Sequence, residues 1–139
     1  MADSPEKSPA HPDLVRKNAE LNVSKLIVDW AYDRLYDRVL PFLPTDSKLP
    51  IVEFGSGHRD LSQRIPNLIR TDIFEGPGIT RVENAYDSSF GDQSAAAILA
   101  TDVFHHLEFP LEALREWRRI LAPGGRLILL EPALSLLGR

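Results

Sequence analysis

Between Pro50 and Pro132, short apolar runs recur at the spacing of strands separated by helices. Ile51-Val52-Glu53-Phe54 is the first, and it ends at Gly55 and Gly57. Residues 67–74 (NLIRTDIF) read as a second strand, and 78–83 (GITRVE) as a third after the Gly76-Pro77-Gly78 turn. Residues 95–104 (AAAILATDVF) carry alanines that favour helix, but the shortness and the flanks of the run suit a buried strand. Residues 126–131 (RLILLE) form an unbroken apolar strand behind Pro123-Gly124-Gly125. Helical spacing places Leu61 and Ile65 on a helix after the first strand. The same spacing puts Leu111, Leu114, Trp117 and Leu121 on one face of a helix over 110–122. Strands apolar on both sides alternate here with helices, so the expected fold is α/β, a parallel sheet covered by helices on both faces.

Ahead of this core, residues 1–12 carry Pro5, Pro9 and Pro12 among polar residues and read as a disordered tail. Residues 13–44 read as an N-terminal helical segment. Asp13 is its N-cap, Val23, Leu26, Ile27, Trp30 and Arg34/Leu35 recur at spacings of three and four, and Pro41 and Pro44 end it. It serves as a covering layer or a lid, with Trp30 packed on the sheet or roofing a ligand. The core then runs over 48–139. Charge narrows the partners: with a net charge of −4 the chain lacks the clustered Lys and Arg that a nucleic-acid surface needs. No apolar run approaches the roughly 18 residues of a membrane span, and the polar start is unlike a secretory signal, so a cytoplasmic location is expected. The absence of cysteine excludes disulfides and thiolate chemistry.

In a parallel sheet, ligands bind outside the carboxyl ends of the strands, where the strand order reverses. Gly55 and Gly57 lie at that point, and residues without Cβ let a ligand approach the backbone. Glu53 precedes the turn. Asp72 falls seventeen residues after Gly55, at the end of the second strand, where a carboxylate can bind both hydroxyls of a ribose. Together these point to a nucleoside-containing ligand. A dinucleotide turn needs a third glycine at position 60, and Asp60 would face a pyrophosphate there. A nicotinamide-dependent oxidoreductase is therefore disfavoured and a phosphate-free nucleoside such as S-adenosylmethionine preferred.

Residues from about Leu49 to Pro132 resemble the class I S-adenosylmethionine-dependent methyltransferases, specifically the methyltransferase type 11 domains. The matching pieces are VEFGSG (52–57), TDI (71–73), ENAYDSSFGDQS (83–94), DVFHHL (102–107) and LREWRRILAPGGRLILLEP (114–132). The resemblance implies a Rossmann-like core and S-adenosylmethionine as cofactor, with a small-molecule or lipid-like methyl acceptor. Glu53, Gly55, Ser56 and Gly57 would line the methionine end of the cofactor. Asp72 would bind the ribose hydroxyls, Ile73 would pack on the adenine, Asn84 and the Ala85 amide would contact its edge, and Thr101 would offer a backbone carbonyl.

His105 and His106, beyond the fourth strand, are the candidate catalytic residues, as a base or as acceptor-orienting groups. The competing reading has them capping the loop. His58, His105, His106 and Asp102 lack metal-ligand spacing, so no metal is expected. Arg59, Asn84 and Ala96 depart from the family pattern, and the chain stops short of the helix and two strands that complete the family sheet. Strand 5 would then be an apolar edge that a homodimer could cover. The rival reading is a catalytically silent, methyltransferase-like interaction domain.

Overall fold

The computed structural model describes residues 22–132. The disordered tail expected over 1–12, the helix start at Asp13 and the stretch after Pro132 lie outside them. The chain divides into two units after Arg38. In the first unit, helix α1 (Asn22–Val39, whose last residue begins the second unit) pairs side chains one turn apart. The Tyr32 and Tyr36 rings are 6.2 Å apart, and the Arg34 guanidinium lies 5.8 Å from the Trp30 ring centroid. No described helix is long and apolar enough to cross a membrane.

The second unit is a five-stranded, all-parallel sheet of order β3-β2-β1-β4-β5. The strands are β1 (Ile51–Phe54), β2 (Leu68–Asp72), β3 (Arg81–Val82), β4 (Ala95–Thr101) and β5 (Leu121–Leu130). β1 and β4 are buried along almost their whole length, because each has a neighbour on both sides. One face carries Val52, Phe54, Ile98 and Ala100. Helix α2 (Pro110–Ile120) packs there, its Trp117 ring stacked 5.4 Å from that of Phe54. By alternation Ile51 and Glu53 point to the other face, and Leu61 and Ile65 are also buried, outside the Trp117 cluster.

Several boundaries differ from the sequence reading. Residues 58–66 form successive turns instead of a helix. Asp60 accepts the Ser62 amide, Ile65 N–H bonds back to Leu61, and Pro66 ends the stretch before a second helical turn can form. β2 begins after Asn67, which is in the left-handed region (φ 58°), and β4 ends before Asp102 (φ 55°). β3 shrinks to two residues, following the left-handed Gly78 (φ 75°).

β5 starts early, directly from α2. Its register against β4 slips between Leu121 and Arg126, so Pro123-Gly124-Gly125 forms a bulge inside the strand. A Cβ at Gly125 would lie 2.8 Å from the Ala122 carbonyl oxygen. Leu111 is 67% exposed. The buried face of α2 is Ala113, Trp117 and Ile120, with Leu114 and Leu121 partly buried.

Candidate functional site

The strand order reverses between β1 and β4, so their carboxyl ends open a crevice. The turn after β1 fills its floor. Gly55 and Gly57 are both left-handed (φ 67° and 53°), each for its own reason. A Cβ at Gly55 would come within 2.3 Å of Val103 Cγ2, so the loop after β4 closes directly on this glycine. A Cβ at Gly57 would meet nothing within 4 Å. That open space lies beside the turn.

Two acids bracket the turn. Glu53 is buried on β1 and its carboxylate accepts the Ser56 hydroxyl at 2.7 Å. Burial lifts its pKa to about 7, against the opposing pull of Ser56 and Arg70. Asp72, at the end of β2, accepts the Gly57 amide at 3.0 Å on one oxygen and the Phe74 amide at 3.2 Å on the other. A carboxylate has about four acceptor positions, so this pair of amides fixes Asp72 in place and leaves room for two further donors.

Beneath the turn runs Arg70, which the sequence reading missed. Its buried guanidinium donates to the carbonyls of Arg59 (2.7 Å), Gly57 (3.2 Å) and Gly78 (3.0 Å), with Nε 3.8 Å from Glu53. The one signal in the sequence is an arginine set inside the apolar run of β2. Arg59 meanwhile keeps an ordinary backbone conformation, so its position does not require a glycine.

The remaining expected residues surround this floor. Ile73 is half-exposed next to Asp72. Asn84 Oδ1 accepts the Tyr86 amide at 3.0 Å, which turns its side chain into its own loop, and Ala85 packs against the Phe54–Trp117 cluster. Thr101 ends β4, and its buried Oγ1 has no hydrogen-bond partner among the described residues. The Tyr86 hydroxyl accepts the Glu108 amide at 3.1 Å and ties the loop after β3 to the loop after β4.

His105 and His106 sit in a 3-10 turn (Phe104–His106) with ring centroids 3.9 Å apart. Glu131, just past β5, is a second residue that the sequence reading missed. It accepts the amides of Val103 (3.3 Å), Phe104 (2.8 Å) and His105 (3.3 Å), and its Oε2 lies 2.5 Å from His105 Nδ1. An acid ending a strand whose neighbour ends in the histidine loop was the available signal. Among the described residues no group of three or more His, Cys, Asp or Glu could hold a metal ion.

The floor is thus acidic at its mouth, and the buried Arg70 guanidinium is taken up by turn carbonyls and by Glu53 and Asp60. It suits a ligand that brings positive charge and vicinal hydroxyls, and it disfavours a pyrophosphate.

A methyltransferase domain model matches residues 58–129, more than half of the chain. Among solved structures, a protein from Methanococcus maripaludis assigned as an S-adenosyl-L-methionine-dependent methyltransferase superposes with a TM-score of 0.65 at 16% identity, covering 92% of this chain and 67% of its own. A Bacillus halodurans C-125 protein assigned as a methyltransferase gives 0.53 at 18% identity, over 70% of this chain and 48% of that one. A chain from the complex of the Haloferax volcanii Trm112 methyltransferase activator with its assigned methyltransferase gives 0.52 at 21% identity, over 65% and 47%. The chain spans about half the length of these last two. No curated protein sequence matches it. The domain match and the shared fold place this chain in the class I, S-adenosylmethionine-dependent methyltransferase family.

Proposed function

We propose that the chain holds S-adenosylmethionine at the carboxyl ends of β1 and β4 and serves methyl transfer to a small-molecule or lipid-like acceptor. The observation that carries this reading is the pair of acids, Glu53 and Asp72, bracketing a left-handed Gly57 that faces open space. Bound there, the sulfonium supplies a methyl group whose leaving group is a neutral thioether.

The chain's own residues would do the rest. Glu53 is placed for the cofactor's ammonium, and a cation beside it would favour its ionised form. Asp72 keeps acceptor positions for a ribose diol. Thr101 Oγ1, buried without a hydrogen-bond partner among the described residues, is available to a polar group entering the crevice. Ile73 offers a half-exposed apolar surface for a base. Asn84, its Oδ1 committed to Tyr86, presents its NH2 group as a donor to a ring nitrogen. Holding the acceptor in line with the methyl group supplies most of the rate. Exposed Phe74, Phe109 and Leu111 follow the carboxyl ends of β2 and β4, which supports an acceptor with apolar surface.

Calorimetric titration with S-adenosylhomocysteine tests the reading. Saturable binding that is lost in Asp72→Ala is the expected result, and no binding by folded chain overturns it.

A further inference from the structure

The loop after β4 and the end of β5 meet in a pair of groups, His105 and Glu131, that cofactor binding does not use. Val103 rests on Gly55 of the cofactor turn, and the Val103 amide donates to Glu131, which in turn meets the His105 ring. The loop that bears the imidazole is thereby tied to the turn after β1.

Glu131 is held as a carboxylate. Burial works to raise its pKa, but hydrogen bonds from the His105 ring and from the amides of Phe104 and His105 outweigh it and keep the group below the usual range. A carboxylate has no proton to donate, so His105 Nδ1 must be the donor across the 2.5 Å contact. The neutral ring then carries its lone pair on Nε2, and that ring is 40% exposed. A merely capping glutamate would be satisfied by the three backbone amides it already accepts. The additional ring contact sets the tautomer of a histidine at the mouth of the site.

We propose that His105, oriented by Glu131, is the general base of this site and that the methyl acceptor is a hydroxyl compound; this rests on the methyltransferase reading above. A thiolate or a neutral amine attacks a sulfonium methyl with the lone pair it already has. A hydroxyl acts far better if its proton leaves during attack. The acceptor oxygen's lone pair forms the new bond to the methyl carbon, and the carbon–sulfur pair returns to sulfur. The hydroxyl proton passes to His105 Nε2. The resulting imidazolium faces the Glu131 carboxylate and then gives its proton to solvent. His105 is the catalytic residue and Glu131 the positioning residue.

The test uses the whole chain labelled with 15N-histidine in mildly alkaline buffer. Nitrogen NMR should find His105 protonated at Nδ1 and bare at Nε2. In Glu131→Gln, where an NH2 group can donate to the ring, that preference should reverse. Methylation of two probes, catechol and thiophenol, is then followed in wild type and His105→Gln, with S-adenosylhomocysteine affinity measured beside it. Loss of the base should lower catechol methylation by about 100-fold or more. Thiophenol, already ionised, and the product affinity should change little. A bare Nδ1, an equal loss on both probes, or no catechol methylation by chain that binds S-adenosylhomocysteine would overturn the proposal. Failure to bind S-adenosylhomocysteine at all would overturn the underlying cofactor reading instead, while the tautomer still judges the His105–Glu131 pair.

Discussion

Arg70 Nη2 lies 2.7 Å from the carbonyl oxygen of Arg59, so a buried cation on β2 holds the turn after β1 from below. The same guanidinium reaches Gly57 and Gly78, and its Nε lies 3.8 Å from buried Glu53. Removing one partner of such a cluster leaves buried groups unsatisfied. Arg70→Met should destabilise the chain by about 3 kcal/mol in urea unfolding, near the lower end for a broken buried pair because Glu53 can take up a proton. The double variant Arg70→Met/Glu53→Gln should recover part of that loss. A loss no greater than that of an ordinary surface substitution would show that the cluster does not hold the turn.

Glu53 binds its proton more tightly in the folded chain, because its pKa rises from 4.5 to about 7. Its contribution to stability is therefore fully present below the unfolded value and is lost as pH rises through the folded one. Across that window wild type should lose roughly 3 kcal/mol relative to Glu53→Gln, which keeps the Ser56 contact without the titration. Unfolding midpoints of both proteins between pH 4.5 and 7 measure it, and parallel curves would contradict the expectation.

Glu116 runs the opposite way. Hydrogen bonds from Arg119, then from the amide and hydroxyl of Ser88, hold it down to about 2. The stability it supplies is present above the ordinary carboxylate value and disappears as pH falls toward 2. Glu116→Gln should be less stable than wild type at neutral pH, and the gap should close on acidification. A gap independent of pH would mean that the carboxylate charge is immaterial in the link between α2 and the loop after β3.

The two turn glycines should respond differently to alanine. Each substitution forces a left-handed alanine, at about 1–2 kcal/mol. Gly57→Ala should lose little more than that and still fold, but its methyl would occupy the open space and weaken S-adenosylhomocysteine binding. Gly55→Ala must also displace Val103, so its unfolding midpoint should fall further. Thermal melts and calorimetry on both variants check the pair, and equal stability losses would refute the Val103 contact.

Much of this was legible in the order of residues. Short apolar runs between turns and a helix require a parallel sheet, since strands buried on both faces have no polar side to show water. β1 and β4 have these properties, and the acid–glycine–glycine–acid spacing of Glu53, Gly55, Gly57 and Asp72 follows from that sheet. Periodicity also gave α2, but it misjudged the buried face. Leu111 is the more apolar residue, yet Ala113 is the one buried in the cluster of Trp117 and Phe54, and Leu111 stays exposed.

What the sequence determined by itself is local: where strands must be buried, where the backbone must turn left-handed, and which acids flank the turn. Only the tertiary structure decided the partnerships. Arg70 and Arg59 are eleven residues apart, and Glu131 and His105 are twenty-six. Neither pair has a periodicity to betray it. Each exists because parallel strands bring the ends of distant segments to one edge, where a buried guanidinium must find carbonyls and a carboxylate must find donors.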